Sequence, residues 1–351
     1  MVQFNGPHGK VTVSYLRQGG LNPPAPAPKG SFTGKTVLIT GCSSGIGYQA
    51  ALQIASLNPK RLILGTRTLA KGEAAKQEIL ATVGPSLDSS IIEVIPIECS
   101  DLSSVRQFTT TVRKTTPPGT LDCVLLSAGL ALPTREVVTD ESGHEWPTTF
   151  VVNVLAPALL ALEFLPLLQS TPGSVVESVN SISYCNVTSE DISPLLSSQD
   201  EATGTTSALD FFNNPERWTT QRAYYEAKLM LMFVLEGLVQ DQAQQQASQP
   251  GEDRKVLFLA CCPGQCRTNL YRQFGLGVRA FMTLFNAVIA RTAEQGARTL
   301  VTGLLLQGEE AMGKMWVNDR FDDWSPGITE EEWKVLQKRV WEEIKGVLGK
   351  A

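Results

Sequence analysis

The chain has 351 residues, 42% of them hydrophobic and 19% charged, enough to bury a large core, which excludes a disordered or fibrous protein. A formal charge of −5 provides no basic field for a polyanion, so nucleic acid is not an expected partner. With only His8 and His144, and seven cysteines in no Cys-x-x-Cys pair, the sequence offers neither a zinc ligand set nor a disulfide framework; reduced thiols and a cytoplasmic address are expected.

Residues 1–31 include LNPPAPAPKG, and this composition predicts a proline-rich arm, either laid over the domain or mobile. Short β-branched or leucine-rich runs then recur at 36–40, 62–65, 91–97, 121–127, 174–179 and 256–260, each followed by a longer segment of helical apolar spacing. Such alternation means βαβ units. Runs as continuously apolar as KTVLIT and LDCVLL belong to strands covered on both faces. The fold expected is therefore α/β, a doubly wound, mostly parallel sheet of Rossmann type, forming one domain over 32–320. The apolar run 151–168 is broken by Asn153, Pro157, Glu163 and Pro166 and reads as a buried helix, not a membrane span.

Residues 185–220, rich in Ser, Thr, Asn and Asp, are too long for an ordinary connection and predict an inserted loop or lid. The glutamine run 240–249 reads as the end of a helix. Beyond KMWV, residues 321–351 form a C-terminal unit in which Ser325-Pro326 and the acids that follow open a helix packing by its tryptophans.

Three patterns carry chemistry. Directly after the first strand stands Thr40-Gly41-Cys42-Ser43-Ser44-Gly45-Ile46-Gly47, opening a helix. Its glycines permit a tight turn and let a pyrophosphate approach the free amides of the helix N-terminus. At the end of the second strand, where an acid would hold ribose hydroxyls, the chain has Arg67, with Lys71 one turn on; a guanidinium offers paired donors to a 2′-phosphate, which points to NADP(H). Asp101-Leu102, after the third strand, suits a helix cap or a contact with adenine. Finally, Tyr224 and Lys228 lie four residues apart in a helical stretch, hence on one face, where an ammonium can stabilise a phenolate. Lowering a phenol from pKa ~10 by ~3 units takes about 4 kcal/mol, within reach of a close lysine plus the positive ring of an oxidised nicotinamide.

These motifs, with Ser127-Ala128-Gly129, Asn153, the Ser181 segment and Pro263-Gly264 in the same order, resemble the short-chain dehydrogenase/reductase family over residues 34–317. The resemblance implies that Tyr224 is the proton donor or acceptor and that Lys228 tunes it and binds the nicotinamide ribose. It further implies that Ser181 hydrogen-bonds the substrate carbonyl, that Asn153 holds a proton-relaying water, and that Pro263, Gly264 and Thr268 close over the carboxamide. Within the family, the arm, insertion and C-terminal helix are most similar to retinol-dehydrogenase-like members and fungal secondary-metabolite reductases. Two departures stand out. Ser127 replaces the usual asparagine, and the serine is separated from Tyr224 by the insertion, which leaves Ser183 as second choice.

Because active sites of open α/β sheets lie at the carboxyl ends of strands, the insertion is expected over the reacting carbonyl, with Phe211, Phe212 and Trp218 either lining the pocket or tacking the loop down. In 270–289, Tyr271, Phe274, Phe281, Met282 and Phe285 recur with helical spacing and are expected chiefly in the core. The activity expected is reduction of a bulky hydrophobic ketone by NADPH, or the reverse, in a monomer or homodimer. The rivals are a non-redox enzyme of the same scaffold, such as a cyclase, epimerase or dehydratase, and an NADPH-sensing binding protein.

Overall fold

The computed structural model describes residues 12–140, 142–197, 207–248, 255–321 and 327–349. At its centre is an eight-stranded sheet built from β1 (Thr36–Thr40), β2 (Arg61–Thr66), β3 (Ile92–Pro96), β4 (Cys123–Leu126), β7 (Val175–Val179), β8 (Leu257–Cys262), β9 (Met315–Val317) and β10 (Arg320–Phe321). Strand order is β10-β9-β8-β7-β4-β1-β2-β3, all parallel except the terminal β9–β10 pair; β5 (Val137–Thr139) and β6 (Glu145–Pro147) form a separate hairpin. All six runs expected as strands are strands of this sheet.

The alternation of each strand sorts its side chains into two cores. Val37 and Ile39 of β1 join one cluster with α2 (Gly45–Ser56), α3 (Leu69–Val83) and α11 (Ala293–Gly303). Leu38 joins the other, with α4 (Leu102–Thr115), α6 (Ala156–Gln169) and α9 (Thr220–Ser248). All three side chains are fully buried, each contributing about 1.5–3 kcal/mol. Helices on both faces make the fold doubly wound, as expected. Since β1 pairs with both β2 and β4, the chain reverses direction across the sheet there, leaving a crevice at the carboxyl ends of β1 and β4.

The run 151–168 lies in one continuous helical segment, Thr148–Gln169, that begins as α5 (Thr148–Phe150), passes through a π-helical turn at Val151–Leu155 and continues as α6. Its mean hydropathy of 2.1 and 22 residues would suffice for a bilayer, but 83% of its most apolar stretch is buried inside the protein. Buried Glu163 is held by Arg106 at 3.3 Å and Arg113 at 2.7 Å, which explains a carboxylate in so apolar a helix.

The arm holds a helix that its composition concealed, α1 (Val13–Leu21), capped by the Thr12 side chain. The proline stretch then runs along the domain, where the Pro24 carbonyl accepts from Arg298 at 3.1 Å. Residues 1–11 lie outside the described residues.

The insertion is helical rather than an open loop, comprising α7 (Ser189–Ser197), α8 (Ala208–Asn213) and two 3-10 turns, with 198–206 outside the described residues. It packs on α12 (Glu330–Leu348). The Glu343 carboxylate receives Ser207 Oγ at 2.7 Å and the α8 amides of Ala208 and Leu209 at 2.9 Å each, a charge-assisted helix cap. The helix α12 begins at a Thr329–Glu332 capping box; Ser325-Pro326, expected to open it, lie outside the described residues. Its tryptophans pack as expected. Trp341 fills the space over Gly237 of α9, where a Cβ would stand 2.4 Å from the indole, and Trp333 donates from Nε1 to Glu236 at 2.6 Å.

Candidate active site

The turn after β1 is forced by its glycines. Gly41 and Gly45 have φ of 70° and 64°, and a Cβ on Gly41 would lie 2.6 Å from the backbone nitrogen of Ala128 on the β4 loop. A Cβ on Gly47 would meet the Gly41 carbonyl at 2.5 Å. Helix α2 therefore starts pressed against the strand ends. Its N-cap, Ser44, makes no side-chain cap, whereas Thr68, Asp101, Thr292 and Thr329 cap their helices. The free amides of Gly45, Ile46 and Gly47 open into a cavity of about 1280 Å³.

This cavity extends along the sheet edge and brings together most of the expected residues. Gly41, Ser43, Ser44, Gly45, Ile46 and Gly47 line one part; Arg67 and Lys71 lie beside them; Ser127, Ala128, Gly129 and Asn153 form a wall; Ser181, Tyr224 and Lys228 face Pro263, Gly264 and Thr268. Asp101 and Leu102 are not on its surface. Asp101 caps α4, its carboxylate accepting from Ser103 N at 2.9 Å, and Glu98 and Cys99 occupy the wall where a contact with adenine was considered. Glu98 also pairs with Arg67 Nε at 2.9 Å, leaving both Nη amines without a hydrogen bond among the described residues.

The catalytic candidates come from α9 and the end of β7. Asn180 donates through Nδ2 to the Lys228 carbonyl at 3.2 Å and accepts from Ser181 N at 2.8 Å, which ties the strand end to the helix. Lys228 is buried, its Nζ donating to the Val179 carbonyl at 2.9 Å and lying 5.7 Å from the centre of the Tyr224 ring. Desolvation brings its pKa down to about 8. Burial raises that of Tyr224, Tyr271 and Cys262 add to the rise, and the Ser181 hydroxyl, hydrogen-bonding toward it, acts in the opposite sense. Among the protein groups burial dominates and favours the neutral phenol.

Ser181 Oγ accepts from Ser183 N at 3.2 Å, which leaves its own hydrogen to donate toward Tyr224. Ser183 Oγ is also on the cavity wall, buried without a partner, as is Ser127 Oγ. Contact with Tyr224 distinguishes Ser181 from Ser183. Asn153 uses its side chain on the backbone of one residue, accepting from Leu130 N at 3.1 Å and donating to Leu130 O at 2.8 Å. It sits in the π-helical turn, a rare geometry that recurs at functional sites.

Phe211, Phe212 and Trp218 do not line the cavity. Phe212 is buried in the core, and Phe211 lies under the Arg217 guanidinium, 3.8 Å from its ring centre. The insertion reaches the cavity through Asn186, Thr219 and Thr220 instead. The stripe in 270–289 departs further from expectation: α10 (Leu276–Ile289) lines the cavity with Val278, Phe281 and Met282 and turns most of its surface to solvent. Tyr225 and Leu16 of α1 also line the cavity and were not read from the sequence; Tyr225 is the neighbour of a recognised tyrosine, but Leu16 gave no signal. All seven cysteines are thiols, and no cluster of three metal-binding side chains occurs among the described residues.

The profile of a family described as short chain dehydrogenase matches residues 35–190. The short-chain dehydrogenase/reductase ffsI of Aspergillus flavipes is 31% identical over 97% of this chain and 93% of its own length. The chain belongs to the short-chain dehydrogenase/reductase family. The family's phmF protein of Phaeosphaeria nodorum is 29% identical over 93% of this chain and 90% of its own length. Among solved structures, L-sorbose reductase from Gluconobacter frateurii, complexed with NADPH and L-sorbose, shares the fold at a TM-score of 0.55 and 16% identity, covering 86% of this chain and 98% of its own. For this dehydrogenase/reductase, the uncapped α2 amides, the orphaned Ser127 hydroxyl and the glycine cradle fit a nicotinamide dinucleotide.

Proposed function

We propose that the chain is an NADPH-dependent reductase that converts a bulky hydrophobic ketone to a secondary alcohol in secondary-metabolite biosynthesis. One observation carries the reading: Tyr224, Ser181 and Lys228 converge on the cavity that also receives the free N-terminus of α2. Preference for NADPH over NADH is supported by Arg67 and Lys71, since the Arg67 Nη amines remain available to a phosphate despite the pairing with Glu98. The apolar part of the wall, with Leu270, Phe274, Val278, Phe281 and Met282, suits a hydrophobic substrate.

A nicotinamide held by the Gly41–Gly47 turn and by Pro263, Gly264 and Thr268 would supply the hydride. Ser181 turns its hydroxyl hydrogen from the Tyr224 phenol to the ketone oxygen and stabilises the charge that develops there. Tyr224 donates the phenolic proton to the same oxygen, and burial keeps it protonated beforehand, the form a donor needs. The Lys228 ammonium stabilises the resulting phenolate, while its hydrogen bond to Val179 O fixes its position. A water near the π-helical turn at Asn153 returns a proton to Lys228, and the backbone provides its site because the Asn153 side chain is engaged with Leu130. As cells keep NADP mostly reduced, reduction is the working direction. The test is Tyr224→Phe: NADPH oxidation with an accepted ketone should cease while NADPH binding stays nearly unchanged, and full activity in the variant ends the assignment.

A further inference from the structure

Helix α10 is apolar on nearly every side. Met282 and Ile289 face the body, Val278 and Phe281 reach the cavity, and Leu276, Phe281, Leu284 and Val288 are 79%, 64%, 72% and 64% exposed. Phe281, Leu284 and Val288 recur at i, i+3 and i+7, so they form one outward stripe. A helix with two apolar faces is ordinarily covered on both. Beside it lies α1, whose Val13 and Leu21 are 56% and 67% exposed. The two are locked together: Gly20 comes so close to Ile289 that a Cβ would stand 2.1 Å from its carbonyl, and the buried Arg291 side chain donates to the Gly19 carbonyl. The apolar surface is therefore a built platform.

Its charge says what covers it. No aspartate or glutamate precedes Glu73, and none occurs between Asp253 and Glu294, although the chain as a whole has a formal charge of −5. The two helices thus lie in acid-free stretches, with exposed Arg17, Arg272 and Arg279 around the platform. A second copy would bring the same cations against these, whereas an anionic bilayer surface matches both the arginines and the apolar stripe. We propose that α10 and α1 form a platform that docks the protein on a negatively charged membrane surface, with α10 immersed at the level of the lipid headgroups. As Phe281 belongs to both stripe and cavity wall, a lipid-dissolved ketone would enter from the bilayer; that further step rests on the reductase reading, and the docking does not.

The test is flotation of the full chain with phosphatidylcholine vesicles, with and without phosphatidylserine. Recovery with the phosphatidylserine vesicles is expected to fall in high salt and to drop at least ~10-fold in the double variant Leu284→Ser/Val288→Ser, whose side chains lie outside the cavity. An unchanged melting temperature shows that the variant folds. Failure to float with either vesicle, or flotation of the variant like the parent, overturns the proposal. So does a dimer in sedimentation velocity that the same variant dissociates, because a second copy then covers the platform. No outcome depends on turnover, so loss of the reductase reading leaves this result standing.

Discussion

The ammonium of Lys228 donates a 2.9 Å hydrogen bond to the carbonyl of Val179, the last residue of β7, two residues before Ser181. One contact thus fixes the distance between the helix that carries Tyr224 and the strand end that carries the serine, and it does so with a buried charge.

That charge has a pH signature. With its folded pKa near 8 against an ordinary 10.5, Lys228 binds fewer protons in the folded chain than in the unfolded one between those values, so its own contribution to stability rises with pH across that window. A displacement of this size corresponds to about 3 kcal/mol. Burial raises the pKa of Cys42, Cys99, Cys123, Cys261 and Cys266, which act in the opposite sense from about pH 9, and Tyr224 joins them above pH ~10. The lysine's share is therefore read as a difference: in urea titrations from pH 7 to 10 the parent should gain on Lys228→Met as pH rises, and the variant should equal or exceed the parent in stability at pH 7, while its kcat falls about 10²–10⁴-fold. A parallel pH dependence in both proteins would contradict the assignment.

Asn153 should prove structural as well as chemical. Asn153→Ala removes both hydrogen bonds to the Leu130 backbone, and losing them from that part-buried N–H and C=O should cost about 1–3 kcal/mol. Equilibrium unfolding measures the loss, and a variant as stable as the parent would show that water replaces the amide.

At the far end of the cavity, Arg67→Asp should weaken NADPH binding by at least ~100-fold and leave NADH nearly unaffected, because an acid repels the 2′-phosphate that the guanidinium attracts. Fluorescence titration with both dinucleotides makes the comparison. Equal losses would remove the cofactor preference.

Gly237→Ala tests the seat of the C-terminal helix. The new methyl would stand 2.4 Å from the Trp341 indole, so α12 must shift or detach, at a cost of about 1–3 kcal/mol. Trp fluorescence should change together with the melting temperature, and unaltered values would show that the helix accommodates the methyl by sliding.

The sheet and the cavity floor were legible because their causes are local. Apolar runs such as KTVLIT specify strands, and Gly41 and Gly47 are required by contacts within one βα turn and its neighbouring strand. Helical spacing puts Tyr224 and Lys228 on one face, and their place after the fifth βα unit, in order with the other motifs, marked them as a pair with a role. What escaped depended on distant partners. Helix α1 contains Gly19-Gly20, a poor helical sequence in isolation, and its glycines are used in the close approach to Ile289. The insertion's aromatics carry no mark that tells a pocket wall from a surface tack; Glu343, more than a hundred residues later, decides it by capping α8. The exposed stripe of α10 has the same periodicity as a core helix, so the pattern gave no warning that it faces outward.

The carboxylate of Glu343 holds Ser207, Ala208 and Leu209 from more than a hundred residues away in sequence. The second helix of the segment after β7 therefore gains its cap only when α12 has docked, so α12 acts as a latch on a region it does not adjoin along the chain. A truncation that removes Glu343 would spare every residue of the catalytic centre and still leave that segment loose.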